Sequence, residues 1–227
     1  MLNSLDSCKK CKRIHHNLVS LSKIYTTYLN KPIHGSGNTL SPLCIVGLAP
    51  GLHGANRTGE VFKGDFSGEI LHKCLKLSGF IDKDHINYPY ITNAVKCYPP
   101  ANKPLSSEIK NCSKFLSEEL DVLCNLKVIV ALGKLAHDSV LRVYGASLAK
   151  YKFIHNHTHQ INNRILLLDS YHCSKININT KEHEVFTYGH RNPQGLVKIN
   201  DKIISDFHKA LSWFRSNNSK AYMVLLD

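Results

Sequence analysis

The sequence predicts an α/β fold of three layers, α/β/α, in which helices cover both faces of a central, mostly parallel four-stranded sheet. Two observations lead to this prediction. Short apolar runs of the kind that form buried strands alternate with segments of helical periodicity along the chain. In addition, a glycine-rich loop within residues 47–68 joins the first apolar run to the next helical segment. Such loops bring backbone amides close to a ligand at the edge of a parallel sheet.

Four apolar runs bounded by glycine, proline or polar residues are the predicted strands. They span residues 43–46, 90–95, 128–132 and 165–168. Apolar residues at helical spacing predict helices over 14–29 and 70–77, from 106 onward, over 135–141 and over 195–215. Residues 145–163 show neither period, and we interpret them as irregular chain that contains a hairpin.

The bulk composition indicates one domain with an anionic partner. A chain of 227 residues forms one domain by default, here with an N-terminal segment and helix in 1–42 and a core in 43–215. The formal net charge of +12 favours nucleic acid as that partner. We find neither a signal peptide nor a run long enough to span a bilayer, so we expect an intracellular, cytoplasmic monomer that does not bind membranes. Eight cysteines in that compartment favour a metal, a cluster or burial over disulfides.

Three ordered motifs carry a family resemblance. The first runs from G-L-A-P-G at 47–51 to F-K-G-D-F-S-G at 62–68. The second is I-T-N-A-V-K-C-Y-P-P-A-N-K-P at 91–104, and the third is S-Y-H-C-S-K-I-N at 170–177. Together they resemble the uracil-DNA glycosylases, most closely family 5, the b type. Family 4 has a glutamate where this chain has Leu48, whereas the aspartate of family 5 matches Asp65.

The resemblance implies a monofunctional glycosylase that flips uracil out of DNA, hydrolyses its N-glycosidic bond and leaves an abasic site. The broader base range of family 5 makes hypoxanthine and xanthine candidate substrates. Asp65 would stabilise the sugar cation and activate water, Asn93 would hydrogen-bond the base edge, and His172 would donate to the base or a phosphate. By the same match, the base and its DNA would be held by Gly47, Leu48, Ala49, Pro50, Gly51, Phe62, Ser174 and Asn177.

Three of these residues also have an ordinary interpretation when each is considered alone. Asp65 could form a turn with Gly64, Phe62 could be a core aromatic, and Asn93 could satisfy backbone groups at a strand end. One position departs from the family pattern: Cys173 follows His172, where the family usually has proline. That departure weakens any inference about the direction in which His172 points.

The cysteines form a second group of candidate ligands. The resemblance implies a structural [4Fe-4S] cluster held by Cys8 and Cys11, a C-x2-C pair, together with Cys97 and Cys112. Four thiolates also suit zinc, and burial on an apolar helix stripe would explain Cys112 equally well. The remaining cysteines are Cys44, Cys74, Cys124 and Cys173. The first three are interpreted as packing residues, and Cys173 is left unassigned.

Three histidines recur at every second position from 155 to 159. In a strand, His155, His157 and His159 would share one face like metal ligands, but no carboxylate is near in sequence, and we expect a solvated hairpin.

Two alternative functions fit the same sequence. The first alternative function is an iron–sulfur protein that binds DNA or senses damage without turnover. The second is a family 4 uracil-DNA glycosylase.

Overall fold

The computed structural model describes residues 3–78, 80 and 88–174. Five strands form one sheet in the order β2-β1-β3-β5-β4. Their bounds are β1 Leu43–Gly47, β2 Tyr90–Asn93, β3 Val128–Leu132, β4 Thr158–Gln160 and β5 Leu166–Ser170. The α/β fold with a mostly parallel sheet is therefore confirmed. The predicted count of four strands is wrong, because the short edge strand β4 pairs antiparallel with β5. The hairpin expected within 145–163 has only its first strand in that range, since its second strand is β5.

Six α-helices are present in the described part of the chain. They are α1 Asn3–Asp6, α2 Lys12–Ile24, α3 Ala55–Thr58, α4 Phe66–Leu77, α5 Ser106–Asp121 and α6 Lys134–Val143, with a 3₁₀ turn at Pro100–Asn102. The predicted helix over 195–215 lies outside the described residues. None of the described helices is long and apolar enough to cross a membrane.

Helix α2 ends at Ile24, five residues before the predicted limit. The side-chain amide of Asn30, which adopts a left-handed φ of 49°, donates to the backbone carbonyls of Tyr25 and Tyr28. Side-chain amides that bond nearby carbonyls in this way compete with the helical hydrogen bonds. The two tyrosine rings stack at 4.7 Å outside the helix, and Tyr28 hydrogen-bonds His53 of the glycine-rich loop.

Residues of β1 alternate between two apolar layers. Leu43 and Ile45 face the layer that contains Leu71 and Leu75 of α4. Cys44 and Val46 point the other way, into a layer that is completed by α5 and α6. Because both faces are covered, every residue of β1, β2 and β3 is buried, which explains the nearly continuous apolar sequences of β1 and β3.

The order of the strands creates a crevice at one edge of the sheet. Strand β1 lies between β2 and β3 and is parallel to both. After β1 the chain forms β2 on one side of it and then crosses over to form β3 on the other side. Ligands bind outside the carboxyl ends of strands at such a switch point. Strand β2 ends at Asn93 rather than residue 95, but the N–H groups of Ala94 and Val95 still donate to the carbonyls of Gly47 and Leu48.

Candidate active site

A cavity of about 480 Å³ lies at the carboxyl ends of β1, β2, β3 and β5. Residues from all three sequence motifs meet in it, as the topology predicted. The predicted site residues that line this cavity are Leu48, Ala49, Pro50, Gly51, Phe62, Asp65, Asn93, His172 and Ser174. Gly47 lies directly behind two of them, and Asn177 lies outside the described residues.

Asp65 is the N-cap of α4, and its two carboxylate oxygens have different surroundings. Oδ1 accepts a hydrogen bond of 2.9 Å from the N–H of Gly68, which stabilises the first turn of the helix. Oδ2 faces the glycine-rich loop, where a Cβ on Gly51 would stand 3.0 Å away and one on Gly54 only 2.0 Å away. The residue is therefore a helix cap rather than a simple turn former, and one of its oxygens remains directed at the loop that lines the cavity.

Phe62 and Asn93 form a tight corner with Gly47. A Cβ on Gly47 would stand 2.4 Å from Oδ1 of Asn93 and 2.7 Å from the ring of Phe62, so only glycine fits there without displacement. Phe62 has a left-handed φ of 52°, a conformation that is strained for a bulky residue and that clusters at functional sites. Asn93 is only 3% exposed, and its Oδ1 has no hydrogen-bond partner among the described residues.

His172 follows β5 and lies beside the same corner. Its ring centroid is 6.0 Å from that of Phe62. Burial lowers the pKa of His172 below its ordinary value, and the negative charge of Asp65 opposes that shift only in part. The imidazole is therefore neutral at pH 7. The next residue, Cys173, packs against the core and donates its thiol to the backbone carbonyl of Ser67 at 3.3 Å, which ties this loop to the first turn of α4.

One wall of the cavity was not predicted from the sequence. It is formed by the end of β3 and the start of α6, with additions from α3, α4 and the 3₁₀ turn: Leu132, Gly133, Lys134, Leu135, Ala136, Ala55, Ser67 and Asn102. Gly133 has a φ of 98° and precedes the helix, so the amino terminus of α6 borders the cavity. The A-L-G-K sequence at 131–134, glycine and lysine after a buried strand, was the available signal.

Comparison with known proteins agrees with this geometry. The family model described as the uracil DNA glycosylase superfamily matches residues 34–203. The chain belongs to the uracil DNA glycosylase superfamily. It is 37% identical over 193 residues to a type-5 uracil-DNA glycosylase of Pyrobaculum aerophilum, covering 79% of this chain and 83% of that relative. It is 32% identical over 192 residues to the type-5 enzyme of Thermus thermophilus, covering 79% and 88%.

The type-4 relatives match less of the chain. A type-4 uracil-DNA glycosylase of Archaeoglobus fulgidus is 31% identical over 145 residues, and the match covers 63% of each chain. Similarity to the type-5 members of the superfamily therefore extends further, in agreement with Leu48 and Asp65 in the first motif. All three structural motifs of the cavity lie within the residues that the family model matches.

The four predicted cluster ligands of this superfamily member converge on a second cavity. Cys8, Cys11, Cys97 and Cys112 all line a space of about 510 Å³, whose other walls are formed by residues of the N-terminal segment within 5–22 and by residues 29–32. Burial raises the pKa of the Cys97 thiol, and the three neighbouring sulfurs raise it further. Among the described residues, these four do not form a group with donor atoms close enough to share a single metal ion.

The cysteines that were interpreted as packing residues divide into two groups. Cys44 and Cys74 are buried, which agrees with that interpretation. Cys124 is exposed, so its assignment to packing was wrong; it lies in the turn between α5 and β3, where the neighbouring Leu123 and Leu126 are buried instead.

The expectation of a solvated histidine run was also partly wrong. His159 is 7% exposed, and its Nε2 is 2.9 Å from Oδ2 of Asp169, a carboxylate that is distant in sequence but adjacent across the hairpin. His157 is exposed as expected, and the His155 ring stacks on Tyr171 at 4.4 Å.

Proposed function

We propose that this chain is a DNA repair enzyme, a monofunctional uracil-DNA glycosylase that hydrolyses the N-glycosidic bond of uracil and leaves an abasic site. The observation that carries the proposal is the buried Oδ1 of Asn93, which has no partner among the described residues and belongs to a side chain that lines the cavity with Phe62, Asp65 and His172. An unpaired buried acceptor is costly, so its presence indicates a donor supplied by a ligand.

Uracil supplies the complementary groups for base recognition. Its imide N–H would donate to Oδ1 of Asn93, and the side-chain N–H₂ of the same residue would donate to a uracil carbonyl. The ring of Phe62 lies against the same corner and offers a face on which a flipped base stacks. Gly47 leaves room for both side chains, because any side chain at position 47 would displace the side chains of Asn93 and Phe62.

The chemistry follows from the charges that develop as the bond breaks. The sugar gains positive charge, which the Oδ2 of Asp65 would stabilise while it orients or deprotonates the attacking water. The departing base gains negative charge, to which a neutral His172 would donate a hydrogen bond. No step requires a metal ion at this cavity.

Positive charge favours DNA as the partner. The chain carries 29 Lys and Arg against 17 Asp and Glu. The amino terminus of α6 borders the cavity, where the phosphates on either side of a flipped nucleotide would pass. Lys134 also lines the cavity, with its Nζ 2.7 Å from Oδ2 of Asp138. Because phosphate contacts release counterions, binding should weaken steeply as the salt concentration rises.

The test is release of free uracil from a duplex that carries one uracil opposite guanine or adenine. The wild type should release uracil and leave a strand that breaks only after alkaline treatment, and Asn93→Ala should slow that release. A duplex with thymine at the same position is the control. DNA binding by the wild type without release of uracil or hypoxanthine would support the non-catalytic alternative instead.

We also propose that a structural [4Fe-4S] cluster occupies the space lined by Cys8, Cys11, Cys97 and Cys112. Tetrahedral zinc needs sulfur atoms about 3.8 Å apart, given a Zn–S distance of about 2.3 Å. A wider group of four thiols around a cavity suits a larger cluster. The cluster would supply cross-links between the N-terminal segment, the second motif and α5, and it has no role in the reaction.

Metal analysis and visible absorption of protein purified without oxygen test the cluster. The wild type should be brown with about four iron atoms per chain, and Cys97→Ser should lose most of the iron and unfold at a lower temperature. The exposed Cys124 provides the matched control, since Cys124→Ser should keep both colour and iron. Colourless protein that contains only zinc would contradict the proposal.

A further inference from the structure

The carboxylate of Asp169 is the centre of a buried network three residues before His172. Asp169 is fully buried near the end of β5, and its oxygens contact three donors. Oδ1 lies 2.6 Å from Nδ1 of His137 on α6, while Oδ2 lies 2.9 Å from Nε2 of His159 on β4 and 3.0 Å from the N–H of Ile154. Three separate segments thus meet on one side chain.

The second ring nitrogen of His137 fixes the protonation of this network. Its Nε2 is 2.9 Å from the backbone carbonyl of Tyr151, which can only accept, so Nε2 carries a hydrogen. Nδ1 faces a carboxylate, and a hydrogen there makes the ring an imidazolium paired with Asp169. Burial lowers the pKa of His137, but the bonds to Asp169 and Tyr151 raise it by more, so the net shift is upward.

These distances describe direct hydrogen bonds rather than a metal site. His137, His159 and Asp169 have donor atoms within 4.8 Å of one another. Ligands of tetrahedral zinc at about 2.0–2.1 Å would lie about 3.3 Å apart. The 2.6 Å between Nδ1 of His137 and Oδ1 of Asp169 leaves no room for an ion between them.

The same segments hold the loop that carries His172. The N–H of Tyr171 donates to Nδ1 of His155 at 3.1 Å, and the two rings stack. The N–H of Gly133, at the start of α6, donates to the carbonyl of Ser170 at 2.7 Å. The hydrogen bond between Gly133 and Ser170 therefore joins the α6 wall of the cavity to the loop that carries His172.

We propose that His137, through Asp169, positions the His172 loop against the amino terminus of α6. His137 is a positioning residue, because it lines no part of the cavity itself. The inference rests on the proposed function for its kinetic consequence, but its structural consequence is independent of activity. Loss of the bond between His137 and Asp169 would loosen residues 170–173 while the sheet remained intact.

Two substitutions separate the two hydrogen bonds of His137. Because Nδ1 is near Cβ and Nε2 is further away, His137→Asn keeps a donor to Asp169, whereas His137→Gln keeps a donor to Tyr151. Hydrogen exchange should accelerate at the Tyr171 and Gly133 amides in His137→Gln but not in His137→Asn, with the β1–β3 ladder unchanged in both. His155→Phe, which removes the acceptor of the Tyr171 amide and keeps an aromatic ring beside Tyr171, should accelerate exchange at Tyr171 and not at Gly133.

Single-turnover excision of uracil at saturating protein gives the kinetic test. The wild type is measured first. If it is inactive, the proposed function is contradicted, and the hydrogen-exchange measurement alone decides this inference. His137→Gln should be at least tenfold slower than the wild type with DNA affinity within about twofold, and His137→Asn should retain most of the rate. In a His172→Ala background, His137→Gln should cost nothing further, since it acts through His172. Additive losses, or unchanged exchange at residues 170–173, would overturn the proposal.

Discussion

A Cβ on Gly54 would stand 2.0 Å from Oδ2 of Asp65 and 2.6 Å from its Cγ. This close approach lets the glycine-rich loop pass directly over the carboxylate to which we assign the chemistry. The other oxygen of Asp65 is occupied by capping α4, so the carboxylate cannot turn away from the loop without losing that hydrogen bond. The loop and the helix cap together fix the direction of the acid.

Gly54→Ala should therefore reduce activity far more than it reduces folding. The new methyl group would push the carboxylate of Asp65 out of line, and a displacement near 1 Å costs about 100-fold in rate. Gly51→Ala is the matched comparison, because its methyl group would meet Oδ2 at 3.0 Å and need only a small adjustment. Single-turnover excision rates should fall in the order wild type, Gly51→Ala, Gly54→Ala. Equal rates for the two variants would contradict this geometry.

The imidazole of His172 should titrate below its ordinary value. Burial lowers its pKa and Asp65 raises it by less, so the native state binds fewer protons than the unfolded state just below pH 6.5. The stability that His172 contributes is thus lost as the pH falls through the lowered pKa. NMR titration should give a midpoint under 6.5, and a still lower midpoint in Asp65→Asn, which removes the opposing charge. A midpoint above 6.5 would show that the ring is not buried in this way.

Breaking the buried pair of Lys96 and Glu119 should strongly destabilise the fold, because it leaves an unpaired charge in the core. Both side chains are 0% exposed, with 2.5 Å between Nζ and Oε2, and Oε1 of Glu119 accepts from the N–H of Gly35 at 2.8 Å. Removing one partner of a buried ion pair typically costs about 3–5 kcal/mol. Chemical denaturation of Glu119→Gln should show a loss of about that size.

Glu118 on the same helix is the control for this measurement. It is partly exposed and lies 3.9 Å from Lys114, so Glu118→Gln should change the free energy of unfolding by less than about 0.5 kcal/mol. Similar losses for both glutamates would mean that the Lys96 pair is no stronger than a surface contact.

The sequence predicted the elements with long, unambiguous patterns and missed those fixed by distant contacts. The apolar runs of β1 and β3 are buried on both faces, so their strand character was readable locally. Strand β4 has three residues, two of them polar and the third a histidine, and its burial depends on Asp169 across the hairpin. No local pattern reports such a partner.

The candidate site shows the same division. Asp65, Asn93 and His172 were predicted from motifs and the edge of the sheet where they meet. The wall from Leu132 to Ala136 was missed, because only the parallel pairing of β3 with β1 and β5 brings it there. Likewise, the role of His137 depends on a carboxylate 32 positions away.

The most direct test of the central claim is the single-turnover rate of uracil excision by the wild type and Asp65→Asn. Asparagine caps a helix as well as aspartate does, so the thermal midpoints should agree within a few degrees. Asparagine lacks the negative charge that stabilises the sugar cation and is too weak a base to deprotonate water, so the rate should fall about 100-fold or more while DNA binding is retained. Equal rates for the two proteins would contradict the role of Asp65, and an inactive wild type would contradict the glycosylase itself.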